Sequence, residues 1–143
     1  MTCRLSVFPF IAFILSLAGG CGRNGGSAKF NQYYNQGEKL YERHCSNCHQ
    51  NDGKGLGRLY PPLAQADYLQ RVEEVVCLIR YGKEGRILVN GQDYNMAMPG
   101  NSKLTDLEIA KITTYIYNSW GSEKGLMDVT NVSTILAECN GED

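Results

Sequence analysis

Apolar and polar positions alternate along the chain in several distinct patterns. Residues 5–17 form a single apolar run of 13 residues. From Asn35 the spacing turns helical, with Gly37, Leu40, Tyr41 and His44/Cys45 falling on one face. A second helix is predicted over residues 67–81, with Asp67 as N-cap and Gly82 as its stop. Leu69, Val72, Val76 and Ile79 make its apolar stripe, flanked by Val75, while Cys77 falls nearly opposite at about 100° per residue. Residues 85–93 read as extended, a short hairpin closed by Asn90-Gly91. Thr105-Asp106-Leu107-Glu108 is a capping box that opens a last clear helix running to about Asn118. Residues 121–143 are an acidic extension with room for one short helix near residues 129–138. The pattern predicts an all-α fold of three main helices, and about 90 residues give only a marginal apolar core.

The first of these helices leads into Cys45-Ser46-Asn47-Cys48-His49. Two cysteines three apart with histidine next is the attachment signature of a c-type haem. On a helical turn both thiols share a face and reach the two vinyl groups of one porphyrin, and His49 can rise beneath the iron. Three other chemistries use paired cysteines. A zinc site needs two more ligands at comparable spacing, yet the only other histidine is His44 and the remaining cysteines are scattered. A thioredoxin-like pair follows a strand, whereas helix precedes Cys45. A structural disulfide leaves His49 unexplained. His44 shares the helix leading into the motif and reads as a surface or rim residue.

The haem reading changes what the rest of the chain means. Six cysteines in 143 residues are not a disulfide framework once two belong to haem. The formal net charge of −1 and the lack of a basic block argue against nucleic acid as a partner. Arg4 followed by the 13-residue run, too short for the roughly 20 residues of a membrane span, fits a secretory signal peptide over residues 1–20. Leu17-Ala18-Gly19-Gly20-Cys21 resembles a lipoprotein processing site with Cys21 as the lipidated residue, simple cleavage at small residues being the other outcome. Residues 21–30 then read as a flexible tether and 31–120 as the haem domain.

Two further stretches carry candidate chemistry. Gly53, Gly55 and Gly57 make residues 50–60 a loop able to bend around a flat cofactor, and Pro61-Pro62 stiffens the segment after it. Tyr94-Asn95-Met96-Ala97-Met98-Pro99-Gly100 sets methionines in a loop, where a thioether sulfur makes a good sixth ligand for haem iron. Alternation puts Met96 and Met98 on one side of an extended segment, so periodicity does not choose between them.

Over roughly residues 35–120 the chain resembles a class I monohaem cytochrome c. Gly37 and Tyr41 stand eight and four residues before Cys45, Pro61 twelve after His49, Met98-Pro99 later, and Tyr115 seventeen beyond Met98. The resemblance implies the cytochrome c fold, with three main helices packed around one covalently attached haem c. It implies that Gly37 and Tyr41 pack the first helix on the last, and that the Pro61 carbonyl accepts the Nδ1 proton of His49. It makes Met98, beside Pro99, the second iron ligand. The function it implies is a non-enzymatic one-electron carrier in a bacterial periplasmic or membrane-surface respiratory chain. Its partners would be a redox protein donor and acceptor such as a terminal oxidase, reductase or dehydrogenase, with the membrane reached through Cys21. A fixed electron-entry subunit of a larger oxidoreductase is a second reading, and a gas-binding or peroxidatic haem a third. The acidic extension departs from the family, as do Cys77 and Cys139. In an oxidising compartment these two either pair, stapling the extension across the second helix, or sit unpaired in separate places. Formal charge is +2 over residues 54–103 and −5 over 104–143, which suggests a weakly basic docking face away from the extension.

Overall fold

The computed structural model describes residues 25–121 and 125–139. Helix α1 (Gly25–His44) crosses α4 (Asp106–Trp120) at a point where one side chain is missing. A Cβ on buried Gly37 would lie 2.0 Å from the Lys111 carbonyl oxygen and 2.9 Å from Tyr115 Cβ, so only glycine lets the two helices approach this closely. Aromatic rings close around the crossing. Tyr41, fully buried, sits 5.4 Å from Tyr115 and 4.8 Å from Trp120 between centroids, and Tyr34 sits 5.2 Å from Tyr115.

Helix α1 starts ten residues earlier than expected, so residues 25–30 are helix and not tether. The reason is that Phe30, Tyr33 and Tyr34 continue the stripe of Gly37, Leu40 and Tyr41 at helical spacing. Tyr33 is only 6% exposed, and Lys29, 5.5 Å over its ring, pairs with Asp128. Cys21 and the signal segment 1–20 lie outside the described residues, as do 140–143.

After His44 the helix breaks at Cys45 and resumes as the single turn α2 (Ser46–His49). The second helix also departs from expectation. Residues 67–70 form a 3-10 turn, and α3 (Val72–Tyr81) begins only at Val72. Asp67 is engaged elsewhere. Its Oδ1 accepts the Asn90 N–H at 2.8 Å while Asn90 Oδ1 accepts the Asp67 N–H at 2.9 Å, a reciprocal tie that fixes this segment to the hairpin. Gly82, at φ +83°, stops α3 where expected.

Gly82–Lys83 (β1) then pairs antiparallel with Met98–Pro99 (β4), a pairing that periodicity does not foretell. Between them, Ile87–Val89 (β2) and Gln92–Tyr94 (β3) form the expected hairpin. Asn90 and Gly91 both have positive φ, the requirement of a type I′ turn. Thr105 and Glu108 make the expected capping box of α4.

Helix α5 (Val129–Glu138), capped by Asp128, packs across α3 and α4 with Val132 fully buried. Cys77 and Cys139 form a disulfide, so the cysteine on the polar side of α3 is covered by the extension. Among the described residues no helix is long and apolar enough to cross a membrane.

Candidate functional site

Segments from most of the chain meet around one cleft of about 620 Å³, part of it open to solvent. Its walls are apolar, with Leu69, Leu78, Ile79, Val89 and Ile116 among them, and the donor atoms that enter it come from Cys45, His49 and Met98.

His49 ends α2, where Gln50 at φ +62° turns the chain away. That turn is held by the Tyr41 hydroxyl, which donates to the Gln50 carbonyl at 2.6 Å, and by the Gly55 N–H, which donates to the His49 carbonyl at 2.9 Å. His49 Nδ1 lies 3.0 Å from the Pro61 carbonyl oxygen. A carbonyl only accepts, so Nδ1 carries the proton and Nε2 presents its lone pair. Burial lowers the His49 pKa, and the Pro61 bond opposes this more weakly, so the ring is neutral at neutral pH. A neutral imidazole with one nitrogen oriented by a carbonyl is the form that binds a metal.

The glycine loop serves that carbonyl. A Cβ on Gly55 would lie 2.3 Å from the Tyr60 carbonyl oxygen and 2.5 Å from that of Pro61. The Gly53 carbonyl accepts N–H groups from Leu63 at 2.7 Å and Ala64 at 2.9 Å, and its Cα faces the Trp120 ring, where a Cβ would be 2.7 Å away. Gly57 has open space around it and no such role.

Cys45 and Cys48 are both free thiols. Cys45 lines the cleft, and its burial first, with the neighbouring Cys48 second, pushes its pKa up to about 12. Cys48 is half-buried on α2 beside it. Among the described residues no group of three or more His, Cys, Asp or Glu side chains gathers as zinc would require.

The two methionines are separated by the fold. Met98 is half-buried and lines the cleft from β4, whereas Met96 is 48% exposed and does not line it. His44 is exposed, 3.4 Å from the Asn101 amide through Nδ1, and also stays out of the cleft. One lining residue carries no signal in the sequence pattern. Tyr68 sits in the wall with its hydroxyl donating to Glu74 and its ring under Arg71. Its position inside a stretch that reads as the start of a helix hides it.

A flat apolar group fits these walls, two thiols one turn apart suit two thioether bonds, and the imidazole and thioether are iron donors. The donor chemistry therefore suits a covalently attached haem.

Comparison with known proteins points the same way. The family model described as Cytochrome c matches residues 34–120. The chain is 37% identical over 93 residues to cytochrome c-552 of Thermus thermophilus, covering 62% of this chain and 70% of that protein. It is 36% identical over 90 residues to the cytochrome c subunit of the quinone alcohol dehydrogenase of Gluconacetobacter polyoxogenes, covering 61% of this chain and 19% of that subunit. The corresponding subunit from Gluconobacter oxydans is 33% identical over 91 residues, again with 19% of its length covered. The chain thus spans about a fifth of the dehydrogenase subunits it matches.

Proposed function

Because the chain belongs to the cytochrome c family and carries electrons with haem c as its cofactor, we propose that Cys45 and Cys48 hold that haem through thioether bonds and that His49 and Met98 are its iron ligands. The observation that carries this reading is the His49 Nδ1 to Pro61 carbonyl bond of 3.0 Å inside an apolar cleft that Cys45 and Met98 also line. When bound, haem supplies a reversible one-electron couple at its iron. The chain's own residues do the rest. Pro61 orients the imidazole and makes it more basic, the apolar walls keep water from the cleft, and the Met98 thioether favours the reduced metal. With His49 and Met98 both holding the iron, no coordination site would be left for a substrate, which favours electron transfer over gas binding or peroxidase chemistry.

The carrier works on the periplasmic side of a bacterial membrane, exported by residues 1–20 and anchored by lipid on Cys21. Only Gly22, Arg23 and Asn24 stand between Cys21 and α1, a reach of at most about 14 Å. The domain is then held close to the membrane surface. Its partners are redox proteins, and the similarity to dehydrogenase cytochrome subunits supports a dehydrogenase as donor. The outward face of α5 is polar, with Thr130, Asn131 and Thr134 exposed. Such a face supports a transiently docking carrier over a subunit fixed through the extension.

The test uses the haem-loaded chain. Haem should stay on the chain after denaturation in acid, and Met98→Ala should give a high-spin iron that binds carbon monoxide. If Met96→Ala does this and Met98→Ala does not, the ligand is misassigned. If the unaltered protein already binds carbon monoxide readily, the carrier mechanism fails.

A further inference from the structure

We propose that the Cys77–Cys139 disulfide is a positioning element for Met98: by stapling α5 onto α3 it keeps β4 seated at the cleft and sets how readily the sulfur leaves the iron. The proposal rests on the reading of Met98 as an iron ligand.

Strand β4 is two residues long and comes directly after the exposed residues 95–97. The backbone that holds it belongs to the end of α3. Lys83 pairs with Met98 and Gly82 with Pro99, and the Asn101 N–H donates to the Ile79 carbonyl at 3.0 Å. The contact is close enough to exclude side chains. A Cβ on Gly82 would lie 2.5 Å from both the Met98 carbonyl oxygen and the Gly100 nitrogen, and one on Gly100 would lie 2.4 Å from the Tyr81 carbonyl carbon. Backbone packed on backbone has no flexible side chain to absorb displacement, so movement of the α3 end is transmitted to Met98.

On its inner face the α3 end is held by Leu78 and Ile79, which line the cleft themselves. Its outer face is held by α4 and α5. Arg80 donates to Asp106 Oδ1 at 2.6 Å, and the other oxygen of Asp106 accepts from Ser133 on α5 at 2.7 Å. One turn earlier, Cys77 is joined to Cys139 at the far end of α5. Polar contacts of this kind let go in local opening, whereas a covalent tie does not. With the disulfide intact, α3 cannot fray outward unless α5 moves with it, and α5 is anchored by fully buried Val132. Without it, no covalent tie would join α3 to α5, and the brace would reduce to the contacts of Arg80, Asp106 and Ser133 and the burial of Val132.

The experiment measures how fast added imidazole displaces the sulfur in the ferric, haem-loaded, full-length protein, read by loss of the sulfur-to-iron charge-transfer absorbance. Cys77→Ser/Cys139→Ser should accelerate displacement roughly tenfold, as expected for freer local opening. Gly37→Ala weakens the α1–α4 crossing at Lys111 and Tyr115, neither of which takes part in the Arg80–Asp106–Ser133 contacts or the β1–β4 pairing, so it controls for general loss of stability and should leave the rate near that of the unaltered protein. Should the serine variant not fold, the disulfide of the folded protein is cleaved with a water-soluble phosphine. The phosphine becomes its oxide, water supplies the oxygen and two protons, and two thiols result. These are capped with iodoacetamide, excess reagents are removed, and any ferrous iron gives its electron to added ferricyanide, which becomes ferrocyanide; the same acceleration is expected. An unchanged rate after disulfide loss, or an equal acceleration in Gly37→Ala, overturns the proposal. If the unaltered protein lacks the charge-transfer band, the Met98 ligation falls first and takes the positioning role with it.

Discussion

Replacing Gly37 with alanine inserts one methyl where α1 and α4 touch. The added carbon would sit 2.0 Å from the Lys111 carbonyl oxygen, 2.7 Å from its carbon and 2.9 Å from Tyr115 Cβ. Two of these atoms are backbone and the third is a Cβ, so no rotamer change relieves the overlap, and the helices must part by about 1 Å or more to reach ordinary contact. A gap of that size forfeits roughly a quarter to a half of each dispersion contact it opens. Three aromatic pairs bridge the crossing, Tyr34–Tyr115, Tyr41–Tyr115 and Tyr41–Trp120, and each is worth about 0.5–1.5 kcal/mol beyond its buried area. Losing part of these and of the surrounding packing amounts to about 3 kcal/mol, the upper end of typical overpacking. Alanine returns about 1 kcal/mol through its better helix propensity. The net loss is therefore about 2 kcal/mol, or a fall in Tm of about 10 °C for a domain of this size. Gly26→Ala, with nothing within 4 Å of the added carbon, should be neutral or raise stability by a few tenths of a kcal/mol, roughly the first-turn share of the propensity gain. Urea and thermal unfolding of the haem-loaded protein, followed by circular dichroism, measure both. A Gly37→Ala protein as stable as the unaltered one would refute the reasoning, because the clash would then have a cheap escape.

Three further outcomes rest on the same geometry. Lys29 first, and then the Thr130 groups, lower the Asp128 pKa from 3.8 to about 2; the stability this contributes is present above pH 4 and lost as pH falls through about 2. Asp128→Asn should therefore flatten the fall in unfolding free energy between pH 4 and pH 2, and an unchanged slope in urea titrations would count against the Lys29 clamp. Gly55→Ala at φ +68° should push the Pro61 carbonyl off His49, lower stability by about 1–3 kcal/mol and raise the reduction potential by leaving the imidazole less basic, as a redox titration would show. Lys54, Arg71, Arg80 and Arg86 are already paired with acids, whereas exposed Arg58 is in no ion pair among the described residues. Electron exchange with a redox partner should then depend only shallowly on salt, and stopped-flow rates should respond more to Arg58→Glu than to Lys54→Glu.

Much of this protein is legible in its residues because the deciding interactions are local. The spacing of Cys45, Cys48 and His49 puts two thiols and an imidazole within one turn, whatever packs around it. The capping box at Thr105, the stop at Gly82 and the turn at Asn90-Gly91 are also choices made within four residues, and each appears where the local pattern predicts it. Even the early start of α1 has a signal, since Phe30, Tyr33 and Tyr34 keep the spacing of Gly37 and Tyr41, but the glycines at 25 and 26 mask it. Other features depend on partners far away in the chain. Asp67 does not cap α3 because Asn90, 23 residues on, takes its carboxylate. Cys77 and Cys139 pair because α5 folds back over α3 and brings together residues 62 apart. Met96 and Met98 share an alternating strand pattern, and only the pairing of β4 with β1 turns Met98 into the cleft and leaves Met96 in water. Local spacing specifies which groups share a face, but which face is buried is decided by the distant segment that packs against it.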